Sequence, residues 1–443
     1  MKEMNMQNEM IQKFMDRKAV LGVVGLGYVG LPIVMETTKT GFKTVGFDID
    51  AKKVESLKQG ESYIHHIPSQ AIQELQNSGK FEPTTDYSRL AEVDAIIICV
   101  PTPLDKFREP DLSAVDATAE QIATYLRAGQ LIVLESTTYP GTTEERIRPR
   151  LEKAGFTVGK DVFLAYSPER EDPGRKDYTT RTIPKVFGGS TPTCLEVGGA
   201  LYQCLFDNVV RVTSTQVAEL TKLLENIYRA VNIALVNELK MLCDRMDIDV
   251  WEVINAAATK PFGYQPFFPG PGLGGHCIPI DPFYLTWKAR EYEFQTRFIE
   301  LAGDVNIGMP RFVTLKVVET LSRQGVSPNG AKILVLGVAY KKDVDDVRES
   351  PALKVVEHLR EWQMDVRYHD PYIPVYPKSR HGEMGLSSIP LTEETLQEHD
   401  LVFILTDHSC LDYQWIVNHA KVVVDTRNAT KNVHENREKI VKA

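Results

Sequence analysis

The sequence lacks several features that would place it in a broad class at once. No apolar run among its 443 residues approaches the roughly 18 residues that a membrane-spanning helix needs. The Met-rich stretch 1–18 has no apolar core of a secretory signal, and we interpret it as a frayed or partner-packing helix. The net charge of −9 favours no basic face for nucleic acid. We therefore expect a cytoplasmic protein that binds neither membrane nor nucleic acid.

Cysteine is also scarce. The six cysteines form no CxxC pair, and their spacings match no zinc site. The sequence thus predicts no metal centre and a reducing compartment. Cys99 lies in the apolar run 95–100, and we interpret it as a core residue.

What is present is an alternation of short apolar segments with helical stretches over the first 210 residues and again from Ala331. This alternation predicts βαβ units and parallel sheets. The predicted strands are 20–24, 44–48, 94–100, 131–135, 162–166 and 209–213, then 332–336, 365–369, 401–405 and 422–425, with a helix at about 350–362. From 215 to about 244, apolar residues recur every three or four positions, which predicts one helix of about 30 residues. It would link two domains and offer a face to another subunit, or else be buried within the monomer.

A glycine fingerprint comes directly after the first predicted strand. It reads Gly25-Leu-Gly27-Tyr28-Val29-Gly30 and precedes a predicted helix. In a Rossmann unit the first glycine permits the tight turn, the second admits a pyrophosphate, and the third lets helix pack on strand. The helix N-terminus would supply amide donors for the phosphates.

The next strand ends at Asp48, where an acid would accept hydrogen bonds from the adenosine ribose and repel a 2′-phosphate. We therefore expect NAD rather than NADP. A turn residue at the strand end is the alternative for Asp48. Pro101-Thr102 and Thr137 come after later strands, and could reach cofactor or substrate or simply end strands and cap helices.

Three further residues carry possible covalent and electrostatic chemistry. Cys277 lies in the loop 260–282, which is dense in Gly, Pro and aromatics, and its thiolate could attack an aldehyde. Lys222 and Asn226 share a helix face and could stabilise an oxyanion. The alternative for Cys277 is a small buried thiol in a turn. The alternative for Lys222 and Asn226 is a solvated helix face.

Taken together, these motifs resemble the UDP-glucose/GDP-mannose dehydrogenase family from Val20 to about Asn428. The matching segments are 25–30, 135–137, 167–169, 218–226, 272–281 and 337–351. The resemblance implies two Rossmann-like doubly wound domains joined by a long central helix and a helical dimerisation region. The implied boundaries are 1–213 for NAD, 214–325 for dimerisation and the cysteine loop, and 326–443 for the UDP-sugar. It also implies a homodimer or a dimer of dimers.

The resemblance further implies roles in a four-electron oxidation of a sugar C6 alcohol. Cys277 would carry a thiohemiacetal and then a thioester, and Lys222 and Asn226 would hold the oxyanions. Glu169 with Thr137 would handle a water. The remaining implied roles are proton transfer by Asp281 and contacts to substrate or cofactor by Lys341 and Arg348.

Two segments depart from the UDP-glucose branch, namely Arg170 onward after Pro168-Glu169, and His276-Cys277-Ile-Pro-Ile-Asp281. Both resemble the branch that oxidises UDP-N-acetylhexosamines. Arg170 and His276 are candidate donors to an acetamido carbonyl, or they pack the loop and neutralise pyrophosphate. We expect UDP-N-acetylglucosamine, with UDP-N-acetylmannosamine and UDP-glucose as alternatives. A single-step hydroxy-acid dehydrogenase and an NAD(H)-sensing regulator are the rival functions.

Overall fold

The computed structural model describes residues 6–64, 67–105, 107–170, 178–275, 278–378 and 384–443. The chain forms two compact units. The first comprises Met1–Glu225 and Phe283–Phe294, and the second comprises Asn226–Pro282 and Gln295–Ala443. The domain boundaries expected near 213 and 325 stay predictions.

The first unit is built on an eight-stranded sheet. Its order is β3-β2-β1-β4-β5-β6-β7-β8, and every neighbouring pair is parallel except β6 with β7. The strands are β1 (Val20–Val24), β2 (Lys43–Phe47), β3 (Phe81–Thr84), β4 (Ala95–Ile98), β5 (Leu131–Leu134), β6 (Phe163–Tyr166), β7 (Lys185–Gly189) and β8 (Val209–Val212).

Helices cover the strands of this sheet. They are α1 (Met6–Met15), α2 (Gly30–Lys39), α3 (Ala51–Lys58), α4 (Ser69–Asn77), α5 (Ser113–Tyr125), α6 (Arg148–Lys153) and α7 (Pro192–Leu205). Strands β1, β4, β5 and β6 are buried along nearly their whole length, as parallel strands covered on both faces must be. One core cluster joins Val23 of β1 to Leu31 of α2, Leu57 of α3 and Ile72 of α4.

The second unit has a smaller, wholly parallel sheet. Its order is β10-β9-β11-β12-β13, with β9 (Lys332–Leu336), β10 (Asp365–His369), β11 (Leu401–Ile404), β12 (Val423–Asp425) and β13 (Ile440–Lys442). Successive residues of β9 serve opposite faces. Ile333 and Val335 pack with helices α11 and α12, which are Arg297–Arg323 and Pro351–Glu361. Leu334 and Leu336 pack with α13 and α14, which are Glu393–Glu398 and Tyr413–His419.

The longest element is α8 (Thr215–Arg245), close to the helix predicted at 215–244. It is followed by α9 (Val250–Ala257) and, after the Gly- and Pro-rich segment, by α10 (Asp281–Ala289). The loop predicted at 260–282 contains no helix in its described residues up to Ile280. Its last two residues, Asp281 and Pro282, instead begin α10, because a proline is tolerated in the first turn of a helix. In the described ranges, no helix is both long and apolar enough to cross a membrane.

The predicted α/β class is confirmed, with a mainly parallel sheet in the first unit and a wholly parallel sheet in the second. Predicted strands match observed ones to within two residues at either end. Three strands, β3, β7 and β13, were not predicted. The 27-residue helix α11 was also not predicted, since Gly308 and Pro310 interrupt its pattern. The pair β6·β7 is antiparallel, whereas we expected only parallel strands.

Candidate active site

The glycine fingerprint forms a tight turn between β1 and α2. Gly25 has φ +93°, and a Cβ there would lie 2.6 Å from the carbonyl oxygen of Cys99. A Cβ on Gly30 would overlap the carbonyl oxygen of Gly25. Gly27 faces open space, with no other atom within 4 Å of a Cβ position. No side chain caps α2, which begins after Val29, so the helix N-terminus is available to an anion.

A cavity of about 420 Å³ lies beside this turn. Its lining residues are Gly27, Tyr28, Asp50, Lys52, Lys53, Ser56, Tyr63 and Ile64. Asp48 stands behind this lining as a buried residue. Its carboxylate accepts the N–H groups of Leu26 and Asp50, each at 2.9 Å. The open position over Gly27, the uncapped helix and the neighbouring carboxylates fit a dinucleotide with its pyrophosphate at the turn.

The ends of β4 and β5 lie side by side because these strands are parallel neighbours. After β4, Pro101 is exposed and Thr102 is buried, and the Thr102 carbonyl accepts a hydrogen bond from the Tyr284 hydroxyl at 2.9 Å. After β5, Thr137 is half-buried. Both predicted threonines therefore lie at the carboxyl edge of the sheet that carries the glycine turn.

Glu169 and Lys222 meet in the first unit. Lys222 is buried on α8, and its ammonium donates to the backbone carbonyl of Glu169. The Glu169 carboxylate lies 3.4 Å from the ammonium of Lys185. Lys222 therefore does not belong to a solvated helix face, which was the alternative to its functional role.

Arg170, next to Glu169, forms an ion pair and a hydrogen bond with residues of its own unit. Its guanidinium pairs with the Glu225 carboxylate at 2.5 Å and donates to the Pro184 carbonyl at 2.7 Å. In this arrangement Arg170 ties its segment to α8. Residues 171–177, the continuation of that motif, lie outside the described residues.

Asn226 and Asp281 meet in the second unit. Both are buried, and the Asn226 amide donates to the Asp281 carboxylate at 2.5 Å. Asp281 begins α10. Two residues that the sequence separates by more than fifty positions thus form one polar pair, and their roles in the predicted site stay predictions.

The glycines before Cys277 pack against residues 337–351, here called the C-terminal signature, within the second unit. The Gly275 N–H donates to the Arg348 carbonyl at 2.9 Å. Gly275 has φ +81°, and a Cβ there would lie 3.1 Å from the Tyr340 ring. Lys341 is half-buried, and the Arg348 guanidinium pairs with Asp346 at 2.6 Å. His276 and Cys277 themselves lie outside the described residues.

Sequence reasoning missed several residues around these positions. Glu135 was read only as part of a threonine motif, although it forms a buried ion pair with Lys185 at 2.7 Å. A lone lysine at the start of the apolar run Lys185–Gly189 is the signal that could have identified this pair. Among the described residues, no cluster of three or more His, Cys, Asp or Glu is placed to hold a metal ion.

The turn, the uncapped helix and the strand ends define a dinucleotide-binding α/β enzyme. Three family models match the chain. They describe the NAD binding domain of the UDP-glucose/GDP-mannose dehydrogenase family at residues 19–206, its central domain at 216–307 and its UDP binding domain at 334–432. The chain belongs to the UDP-glucose/GDP-mannose dehydrogenase family.

Named relatives cover most of the chain. It is 39% identical over 352 residues to Protein CapL of Staphylococcus aureus, covering 79% of this chain and 81% of that protein. It is 37% identical to the UDP-N-acetyl-D-glucosamine 6-dehydrogenase of Pseudomonas aeruginosa, covering 88% and 90%. The solved UDP-D-ManNAc dehydrogenase of Pyrococcus horikoshii superposes with a TM-score of 0.85 at 31% identity, covering 96% and 98%.

These matches establish the class of activity. The protein is an NAD-dependent nucleotide-sugar dehydrogenase, an oxidoreductase with NAD as its cofactor. It also contains a domain for binding UDP. The rival functions of hydroxy-acid dehydrogenase and cofactor-sensing regulator are not supported by any of these matches.

Proposed function

We propose that the protein oxidises the C6 hydroxyl of a UDP-N-acetylhexosamine to a carboxylate, and that UDP-N-acetylglucosamine is its substrate. The observation that carries the proposal is similarity over nearly the whole chain to enzymes named for UDP-N-acetylhexosamines. The buried Lys222 and the buried pair Asn226–Asp281 support a site that handles developing negative charge.

The overall reaction consumes one alcohol, two NAD and one water, and yields one carboxylate, two NADH and three protons. When bound, NAD would supply the hydride acceptor for each of the two oxidations. In the first, the alcohol becomes an aldehyde. Cys277 then adds its sulfur to the aldehyde carbon, and the resulting thiohemiacetal loses the second hydride to become a thioester. Water attacks the thioester carbon, and the C–S bond breaks to release the acid and return the thiolate.

The proposed supporting roles are those that the resemblance to the family implies. Lys222 and Asn226 would hold the oxygen that gains negative charge at each step. Glu169, with Thr137, would position the water and accept its proton. Asp281, which holds the Asn226 amide, would assist proton transfer. Lys341 and Arg348 would contact the substrate or cofactor.

The gluco epimer is the finer part of the proposal. It is supported by the string Ser167-Pro-Glu-Arg-Glu-Asp-Pro-Gly174, which resembles enzymes that act on the gluco epimer, whereas His276-Cys277-Ile-Pro-Ile-Asp281 supports only the N-acetylhexosamine branch. A site that hydrogen-bonds the acetamido group discriminates strongly against a sugar that lacks it. The test is kcat/KM for UDP-N-acetylglucosamine, UDP-N-acetylmannosamine and UDP-glucose. Equal or better use of UDP-glucose would overturn the N-acetyl assignment, and preference for the manno sugar would overturn only the epimer.

The thioester route is tested by Cys277→Ala. We expect two NADH per sugar from the unaltered enzyme, and no acid from the variant while NAD still binds. Cys410→Ala is the matched control because Cys410 is an exposed thiol outside the proposed mechanism. Near-normal acid production by Cys277→Ala would contradict the nucleophile assignment.

A homodimer, or a dimer of dimers, is part of the same proposal. Helix α8 exposes a row of large apolar side chains that water would otherwise surround, namely Leu220, Leu224, Tyr228, Leu235, Leu239 and Leu242. Such a row favours an interface with a second copy. Sedimentation should show at least twice the 49.9 kDa chain mass, and Leu235→Lys should weaken the assembly. A species of one chain only at micromolar concentration would contradict this.

A further inference from the structure

A buried charged cluster lies beneath Glu169 in the first unit. Lys185 begins β7 and Glu135 comes directly after β5. Their side chains are 4% and 0% exposed, and Lys185 Nζ lies 2.7 Å from Glu135 Oε2. The Tyr202 hydroxyl of α7 donates to the other Glu135 oxygen. Both carboxylate oxygens of Glu135 are therefore held by donors that water cannot easily replace.

Lys185 also reaches the candidate active site. Its ammonium lies 3.4 Å from Glu169 Oε2 and 3.3 Å from the carbonyl oxygen of Pro168. It therefore contacts both the side chain of Glu169 and the backbone just before it. One carboxylate oxygen of Glu169 faces this cation. The Glu169 side chain is 12% exposed, so it is still partly accessible.

We propose that Lys185 is a positioning residue for Glu169, and that Glu135 limits how strongly Lys185 interacts with it. This inference rests on the proposed function, in which Glu169 acts on the attacking water. Lys185 would hold the carboxylate in its ionised form and in one orientation. Glu135 would weaken the stabilisation of the Glu169 carboxylate by Lys185, because one ammonium cannot fully neutralise two carboxylates.

The charges around Glu169 predict the direction of each effect. Burial raises the pKa of Glu135, while the charge of Lys185 lowers it and Glu169 raises it again. A cation within hydrogen-bonding distance favours an ionised carboxylate, and a second carboxylate opposes it. The other described titratable groups that face this cluster are Cys99 of the β4 end, Tyr202 of α7 and Lys222 of α8. Removing the cation should therefore raise the pKa of Glu169, and removing Glu135 should lower it.

The experiment measures kcat for uronate formation against pH in five variants, four of them single and one double. Lys185→Met should move the acid limb of the profile upward by about one pH unit, which is the lower end of what an adjacent opposite charge contributes. Glu135→Gln should move the acid limb downward, since the negative charge of Glu135 then no longer competes with Glu169 for the Lys185 ammonium. Lys185→Arg should restore most of the original profile. Lys316→Met is the matched control, because Lys316 is also shared between two carboxylates, Asp244 and Glu319, in the second unit.

Folding is controlled by a double variant. Lys185→Met leaves Glu135 buried without its cation, which destabilises a fold strongly, whereas replacing both members of a buried pair is far better tolerated. The double variant Glu135→Gln/Lys185→Met should therefore fold. Its upward shift should be smaller than that of Lys185→Met, because the loss of the Glu135 charge opposes the loss of the cation. Glu135→Gln leaves Lys185 paired with Glu169, and it tests the opposite direction of the shift independently.

The carboxylate infrared band that Glu169→Gln removes gives a readout other than turnover. Its titration should shift in the same directions as the acid limb. An unchanged limb and an unchanged band in Lys185→Met, the double variant and Glu135→Gln would overturn the positioning role. Near-normal turnover of Glu169→Gln would instead overturn the proposed role of Glu169 itself, so the two failures are distinguishable.

Discussion

In each unit a strand, β1 or β9, is followed by a glycine with positive φ and by a backbone N–H that an aspartate accepts; we call this turn the corner. The two corners differ in the length of chain between the corner and the next helix. In the first unit, Gly25 comes directly after β1 with φ +93°, its N–H donates to the carbonyl of Phe47, and Asp48 accepts the N–H of Leu26 at 2.9 Å. In the second, Gly337 comes directly after β9 with φ +77°. Its N–H donates to the carbonyl of His369, and Asp370 accepts the N–H of Val338 at 2.7 Å.

The spacing to the helix separates the two corners in function. Only residues 26–29 lie between the first corner and α2, whereas residues 338–350 lie between the second corner and α12. A helix that begins at the corner presents its amide groups to a phosphate there. The longer segment of the second unit instead carries Tyr340 and Arg348 against Gly275. We therefore propose that the dinucleotide site depends on the short spacing between the corner and α2, and not on the corner alone.

The two aspartates also differ in the side chain that each one contacts. Asp48 has Lys53 at 3.5 Å, a side chain that is 37% exposed. Asp370 has the fully buried ring of His408 at 3.1 Å, and it accepts the N–H groups of Tyr372 and Ile373 as well. Asp370 thus links the second corner to His408, which follows β11. We therefore expect Asp370 to contribute more to stability than Asp48.

Gly30→Ala should have the largest effect. A Cβ on Gly30 would overlap the backbone oxygen of Gly25, so the turn must shift, and with it the amides that we propose bind the phosphates. We expect NAD affinity, measured by calorimetry, to fall about 100-fold or more, which corresponds to roughly 3 kcal/mol. The control is Gly308→Ala in α11, where no atom meets the new Cβ and stability should rise slightly. Unaltered NAD binding by Gly30→Ala would show that the helix start is not the phosphate site.

Asp370→Asn should have the next largest effect, on unfolding. Whichever way the amide is turned, its NH₂ group faces backbone N–H donors that now have no acceptor. Unpaired buried groups of this kind cost about 1–3 kcal/mol, so denaturant titration should show a loss of about 3 kcal/mol. A loss no greater than that of Asp48→Asn would remove the distinction between the two corners.

The effect of Asp370 should also depend on pH. Burial raises the pKa of Asp370, but hydrogen bonds from His408 and Val338 outweigh it and leave the pKa below the ordinary 3.8. A carboxyl whose pKa is depressed by folding stabilises the fold above its unfolded pKa, and this contribution is lost as pH falls through the folded value. The stability difference between the unaltered protein and Asp370→Asn should therefore be constant near neutrality and shrink below about pH 4. A difference that grows on acidification would contradict the sign.

Asp48→Asn should have the smallest effect on stability. Asp48 accepts only two backbone N–H groups, and we expect a loss of about 1 kcal/mol. Its larger consequence should be for cofactor choice, since a carboxylate near the ribose repels a 2′-phosphate. The ratio of kcat/KM for NAD over NADP should fall in the variant. Comparable use of both cofactors by the unaltered enzyme would show that Asp48 does not set this preference.

Local patterns in the sequence were sufficient for much of the fold. β1 and β9 coincide with their predicted bounds, and α8 ends within one residue of its prediction. The missed strands have weak local signals. β3 contains Glu82 and Pro83, and β7 ends in two glycines, so their pairing in the sheet outweighs a poor strand propensity. Pro310 within α11 is tolerated for the same kind of reason, because the packed face of that helix outweighs one interruption.

The sequence by itself determined the glycine turn, the long helix and the membership of the family, because each depends on residues close together in the chain or on a periodicity. Only the tertiary structure decided that Lys185 lies between Glu135 and Glu169, that Asn226 holds Asp281, and that Gly275 packs on the C-terminal signature. The partners in these contacts come from different elements of the fold and share no local spacing. Their proximity arises from the order of strands in a sheet and the path of α8, which no single segment encodes.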